Sequence, residues 1–290
     1  MKNLPLLYKI DLHMHSTVSD GTDSPEEILE KVKEAGIGLF SLTDHDAISG
    51  AEIIKKKRRQ DDPFFLSGVE FSCRDEFGKY HILGYGYDPS ASAINALTES
   101  GHSLRIKKLE WRLDALKDQF GFRFSDDDVS RLFAVSNPGK PHLANLMVKY
   151  GYAADKEQAF LVYLDRLKVE NVYFRPEEAI MAVLESGGIP VLAHPSFGSG
   201  DELILGPEME ERLKRLVIFG LQGVLGYYSS FTIGMQEEIL FMAEKYDLYV
   251  TAGSDYHGKN KNIIPGDNKL SDVRDAPRGL HRFLDDVILR

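Results

Sequence analysis

The seven residues Lys9-Ile10-Asp11-Leu12-His13-Met14-His15 decide how the rest of the chain is read. Side chains alternate across a β-strand, so a strand here places Asp11, His13 and His15 on one face and Ile10, Leu12 and Met14 on the other. The apolar face needs a core to bury it. The polar face sets two imidazoles two residues apart, able to converge on one metal ion, although His-x-His alone fits two half-exposed polar residues equally well. Working outward, six further β-rich runs occupy residues 39–45, 64–72, 80–87, 190–195, 220–228 and 248–257, with helical patterns between them. Such alternation predicts an α/β fold built on a mainly parallel sheet or barrel. The clearest helix opens at Ser24, with Pro25 in first position, Glu27 completing a capping box, and Gly36 to end it; Ile28, Leu29, Val32 and Ala35 form its apolar stripe. Another opens at Pro176-Glu177-Glu178 and closes at Gly187-Gly188.

Most runs carry an imidazole or carboxylate near an end: Thr43-Asp44-His45-Asp46, Gly68-Val69-Glu70, Ala193-His194-Pro195 and Gly253-Ser254-Asp255-Tyr256-His257. In a barrel the carboxyl ends of the strands meet at one rim, so these residues would meet in space. His81 instead opens its run, and a turn at 74–79 that makes an antiparallel hairpin would return it to the same rim. Unrelated core histidines would not collect at strand ends in this way. The candidate metal ligands are His13, His15, Asp20, His45, Glu70, His81, His194, Asp255 and His257. Imidazole and carboxylate without thiolate suit zinc, manganese or iron. Nine donors exceed what one four-coordinate ion uses, which predicts two or three divalent ions bridged by Glu70, a lone carboxylate in a run otherwise built for burial. Cys73, the single cysteine, excludes a disulfide framework and reads as a small buried residue.

The chain has 290 residues, 43% of them apolar and 28% charged, which is globular composition. Its formal charge of −10 argues against binding duplex DNA along a basic surface. Bound divalent ions would reverse that sign locally and attract a phosphate. From 91 to 172 the alternation gives way to helices at 104–120, 126–133, 141–150 and 155–167, with 12 basic against 11 acidic residues, so the remainder carries −11. The expected organisation is a barrel in two parts, 1–90 and 173–290, interrupted by a helical insertion at 91–172 that handles substrate. The apolar patch at 4–7 is too short for a signal peptide and 216–228 too short for a membrane span, so a cytoplasmic protein with no membrane partner is expected.

The segments Asp11-Leu-His-Met-His-Ser-Thr-Val-Ser-Asp-Gly21, Thr43-Asp-His-Asp46, Gly68-Val-Glu70, His81-Ile-Leu-Gly-Tyr85, Ala193-His-Pro195 and Gly253-Ser-Asp-Tyr-His257 resemble, in order, the motifs of the PHP family, named for polymerase and histidinol phosphatase. Within it the chain is most similar to stand-alone bacterial metal-dependent phosphoesterases with a helical insertion. The resemblance implies a distorted seven-stranded (β/α) barrel with a trinuclear centre. His13, His15, Glu70 and Asp255 would hold one ion, Glu70, His81 and His194 a second, and Asp20, His45 and His257 the third. Arg105-Ile-Lys-Lys108 resembles a family Arg-x-x-Arg pattern and Gly139-Lys-Pro-His142 a Gly-Arg-Pro-His pattern, making Arg105, Lys108, Lys140 and His142 candidate substrate-binding residues. Lysine keeps the charge there but loses the bidentate fork. Without the resemblance, Arg105, Lys107, Lys108 and Arg112 read equally as a solvated helix face. The expected chemistry is phosphatase or phosphodiesterase hydrolysis by hydroxide bridging the ions, with Glu70, His194 and His257 catalytic. The expected substrate is a nucleoside bisphosphate, a mononucleotide or the 5′ end of short single-stranded RNA. One alternative is a phosphatase for a small metabolite such as histidinol phosphate. Another is a metal-binding scaffold without turnover, which predicts missing ligands where none of the nine is missing.

Overall fold

The computed structural model describes residues 9–167, 173–198 and 202–288. The apolar patch at 4–7 and the end of the expected insertion, 168–172, lie outside the described residues. Two sheets organise the chain. In the first, β1 (Ile10–Asp11), β2 (Leu39–Phe40) and β3 (Phe64–Phe65) pair in parallel. In the second, β4 (Gly68–Asp75), β5 (Gly78–Tyr85), β6 (Ile189–Leu192), β7 (Gly223–Tyr228) and β8 (Tyr249–Gly253) lie side by side in that order. β4 and β5 form the expected antiparallel hairpin, with Asp75 opposite Gly78, and β6, β7 and β8 run parallel.

Two expectations are corrected. The described strands number eight rather than seven, because the run 64–72 breaks at Leu66-Ser67, and they do not close into one barrel ladder. The reason lies beyond β1 and β2, where single backbone bonds replace continuous pairing. Leu12 N donates to Ala252 O at 2.9 Å and His15 N to Tyr256 O at 2.8 Å, while Glu70 N donates to Asp44 O at 3.3 Å. The small sheet is thereby tied to both edges of the large one by scattered bonds that free the intervening side chains for the site.

Helix α1 (Pro25–Glu34) has the expected capping box: Glu27 N donates to Ser24 Oγ at 3.2 Å and Ser24 N to Glu27 Oε2 at 2.7 Å. With α2 (Ser49–Lys57) it covers the small sheet over a core of Met14, Ile28, Val32, Phe40 and Ile54. Helix α3 (Ser92–Phe120) starts twelve residues before the position expected at 104. Thr98, Ser100, Gly101 and Ser103 are weak helix formers, and tertiary packing overrides them. Ile94 is fully buried in the main core, and Leu116 in a second core with Leu132 of α4 (Asp126–Phe133), Leu143 and Met147 of α5 (Lys140–Lys149) and Leu164. The expected helix at 155–167 is a single turn, α6 (Lys156–Gln158), running into a π-helical stretch at Ala159–Leu164. Helices α7 (Pro176–Glu185), α8 (Gly206–Ile218), α9 (Ile233–Lys245) and α10 (Arg278–Ile288) pack Ile180, Val183, Leu213, Ile239 and Phe283 on the large sheet. Among the described residues no helix is long and apolar enough to cross a membrane.

Candidate metal centre

The strand ends, with Asp20 from the loop between β1 and α1, bring the nine expected donors to one place. His13 and His15 follow β1, His45 follows β2, Glu70 and His81 sit on the β4–β5 hairpin, His194 follows β6, and Asp255 and His257 follow β8. Asp20 and His81 are half-buried and the other seven are buried. Gly253 makes the approach of β8 feasible, since a Cβ there would stand 2.3 Å from His13 Cβ. His194, Asp255 and the neighbouring Asp46 adopt left-handed backbone conformations, with φ of 26°, 61° and 52°. Each costs about 1–3 kcal/mol and persists because its surroundings hold it. Asp255 N donates to His13 O and Asp46 N to Glu70 O, both at 2.8 Å.

Glu70 is the hub. Its Oε2 lies 3.2 Å from His13 Nε2, 3.1 Å from His15 Nε2 and 3.2 Å from His45 Nδ1. Its Oε1 lies 3.0 Å from His81 Nδ1 and 3.3 Å from His194 Nε2. Asp255 Oδ1 faces His15 Nε2 and His257 Nδ1 at 3.3 Å each, and Asp20 Oδ1 faces His257 Nε2 at 3.3 Å. Four overlapping groups emerge whose donor atoms lie within 4.8 Å of one another: His15, Asp20, His45 and His257; His13, Glu70 and His194; His13, His15 and Asp255; His45, Glu70 and His81.

Burial opposes charge on Glu70, yet His13, His81 and His45 hold its carboxyl well below the usual range. Burial likewise opposes charge on Asp255, which Lys261 and His257 outweigh, and on Asp20, which His257 and His45 outweigh. Desolvation pushes His194 and His257 down and His45 far down. His15 goes the other way, to about 10, because Asp255 and Glu70 overcome its burial. The donor set fits divalent cations. It is all nitrogen and oxygen, the Nε2 atoms of His13 and His15 face each other at 3.0 Å, and among the described residues the buried Nδ1 atoms of His13, His15 and His194 have no hydrogen-bond partner.

Supporting residues that the sequence pattern did not single out complete the centre. Asp11 accepts from Ser254 N, Ser254 Oγ and Gly266 N at 2.9, 2.6 and 2.7 Å, tying β1 to the loops after β8. Asp44 accepts from Ser16 N at 2.7 Å and from the hydroxyls of Ser16 and Ser19 at 2.8 and 2.7 Å. Both carboxylates stand beside the histidines in the quoted segments, so a signal for them existed. Asn137, which donates to His45 O, carries none.

The expected substrate-binding residues are placed in different ways. Arg105 forks onto Asp46 Oδ2 through Nε at 2.7 Å and Nη2 at 2.6 Å, and Nη2 also donates to Ser72 Oγ at 3.3 Å. The solvated-face alternative holds for Lys107, which is exposed, and fails for Lys108 and Arg112, which are buried. Lys108 Nζ stands 3.6 Å from the centre of the Tyr173 ring, and burial, then repulsion from Arg105, lowers its pKa to about 7. Lys140 is turned onto Asp165 Oδ1 at 2.6 Å, whereas Gly139 N donates to His142 Nδ1 at 3.1 Å. A Cβ on Gly139 would lie 3.4 Å from Arg105 Nη1, so this helix opening adjoins the fork.

Residues 11–174 match the family described as PHP domain. The chain is similar to the phosphoribosyl 1,2-cyclic phosphate 1,2-diphosphodiesterase of Eggerthella lenta, at 31% identity over 86% of this chain and 94% of the relative. It is also similar to the 3′,5′-nucleoside bisphosphate phosphatase of Chromobacterium violaceum, at 30% identity over 97% of this chain and 98% of the relative. A solved structure from Bifidobacterium adolescentis, assigned to the metal-dependent phosphoesterases, aligns with a TM-score of 0.83 at 27% identity, covering 97% of this chain and 98% of its own.

Proposed function

The chain belongs to the PHP domain family and is a phosphate-ester hydrolase, and from that premise we propose that its substrate is a nucleoside bisphosphate or a mononucleotide. One observation carries the reading. Five imidazoles surround the two oxygens of Glu70, and the residue after His45, Asp46, anchors the guanidinium of Arg105. A cation-binding centre thus adjoins a cationic helix face, the arrangement a phosphate ester needs. The segment 91–172 is read as the substrate-selecting insertion in an α/β body formed by 1–90 and 173–290.

His13, His15, Asp20, His45, Glu70, His81, His194, Asp255 and His257 would hold two or three divalent ions, with manganese, zinc and iron the candidates. Such ions, when bound, lower the pKa of water and neutralise phosphoryl oxygens. Glu70 offers one oxygen to His13, His15 and His45 and the other to His81 and His194, so it can serve two positions at once. His257 turns Nδ1 to the carbonyl of Asp255 at 2.8 Å, which directs its Nε2 toward Asp20 and the centre. Arg105 is already immobilised, so its orientation adds little entropy cost when a phosphate docks. Lys108 and His142 flank it, and Lys140 must leave Asp165 to contribute.

The test is hydrolysis by the purified protein supplied with manganese, zinc or iron. The panel holds p-nitrophenyl phosphate, a nucleoside 3′,5′-bisphosphate, a 5′-mononucleotide, 5′-phosphorylated short RNA and histidinol phosphate. The expected result is metal-dependent turnover with the highest kcat/KM on the bisphosphate. Turnover highest on histidinol phosphate, or none on any substrate, overturns the proposal.

A further inference from the structure

The loop after β8 carries two lysines, Lys259 and Lys261, that lie outside the nine donors and the face of α3. Lys261 places its ammonium on Asp255 Oδ2, the oxygen that also accepts from Tyr228 OH at 3.0 Å, while Oδ1 faces His13, His15 and His257. Asp255 is therefore divided, with one oxygen turned to the imidazoles and one to a lysine. The same lysine, 36% exposed at its side chain, walls a cleft of about 350 Å³ whose lining includes Lys31, Tyr256, Lys259, Ile263 and Ile264. Lys31 is engaged by Asp23 at 2.7 Å and by Tyr256 OH at 2.8 Å. Lys259 is exposed, and no ion pair engages its ammonium among the described residues. Ile264, 69% exposed, gives the cleft an apolar lip. Asn260 pins the loop, donating to Asp20 O at 2.6 Å and accepting from Lys156 of α6.

We infer that this cleft receives the second anionic group of the substrate, a phosphate, and that Lys261 couples the cleft to the metal centre through Asp255. The inference rests on the phosphate-ester reading above. Two consequences of one charge have opposite signs. An ammonium on the outer oxygen of Asp255 repels a divalent ion at the inner one, so Lys261 weakens metal binding there. At the wall of the cleft the same ammonium attracts phosphate. A lysine that merely held the loop would support both sites, and its loss would weaken both.

The experiment uses the full chain with Lys261→Met and Lys259→Met. Manganese affinity is measured by calorimetry, and kinetic constants are measured with a nucleoside 3′,5′-bisphosphate and the matching 5′-monophosphate. Lys261→Met is expected to tighten manganese binding about tenfold and to raise KM for the bisphosphate about tenfold more than for the monophosphate. Lys259→Met is expected to raise KM for the bisphosphate in the same selective way, without changing manganese affinity. Weaker or unchanged manganese binding in Lys261→Met overturns the coupling. Equal KM changes for the two nucleotides in both variants overturn the cleft. If Lys261→Met does not fold, Lys259→Met decides the cleft alone, and Lys261→Arg, which keeps the charge, must keep the bisphosphate preference. Failure of the unaltered protein to hydrolyse either nucleotide defeats the phosphate-ester reading instead; the coupling still stands or falls on the manganese titration.

Discussion

The donor rim and the inner face of α3 are both dense with charge, yet they are held together in opposite ways. At the rim the groups are shared: Glu70 touches five imidazoles, and His15 touches both Glu70 and Asp255. Along the face of α3 the supports are separate, with Arg105 on Asp46 and Ser72, Lys108 on the Tyr173 ring and, at the start of α5, Lys140 on Asp165. A shared centre responds as a unit, whereas separately held cations respond one at a time. Under the proposed function, chemistry would fall to the first region and the choice of substrate to the second.

The largest effect expected from breaking this contrast is at the hub. Glu70→Gln should lower kcat by about a thousandfold while the circular dichroism spectrum is retained, since one donor serves several partners. A loss of less than tenfold would mean the rim is not a unit. Arg105→Met comes next. It strands the buried Asp46 carboxylate, so urea unfolding should show about 3 kcal/mol lost, together with a raised KM. Unchanged stability would show that the fork is not private to Asp46. Lys140→Ala removes a half-exposed pair worth less than about 1 kcal/mol, so stability should hold while KM rises about tenfold and kcat stays close. An unchanged KM would remove Lys140 from the binding face. The last break is a pH slope. Burial and Arg105 lower Lys108 to about 7, whereas the unfolded chain keeps that proton until about 10.4. Between these values the unfolded state binds more protons, so stability should rise with pH from 7 to 10. Lys108→Met should flatten that rise in urea melts recorded across the window.

The same contrast explains what could be read from residues alone. A period of two, broken by ionisable residues at strand ends, is a local signal, and it pointed to side chains that the fold gathers in overlapping groups and to the returning hairpin that carries His81. The capping box of α1 was equally local. Barrel closure was less so, because β1 and β2 keep only two residues each in regular pairing and their continuations bond singly to β4 and β8 territory. The start of α3 was hidden by poor helix formers that packing against the main core overrides. Burial of Lys108 had no local mark either, since Tyr173, whose ring its ammonium faces, is distant in sequence. Lys261 lies four residues beyond the last motif, yet only the fold turns its ammonium back onto Asp255.

One helix spans both regions, and its geometry has a mechanical meaning. At 1.5 Å per residue, the 29 residues of α3 make a rod about 43 Å long, lodged at Ile94 in one core and at Leu116 in another. The helix backbone comes close to the rim at Gly101, where a Cβ would stand 2.9 Å from Asp46 Cβ. A tilt of about 5° about that point swings the far end near Phe120 by about 2.5 Å but moves Arg105, one turn away, by only about 0.5 Å. The fork thus sits beside the pivot of any such tilt, so the guanidinium would stay in register with the centre while the outer end moved.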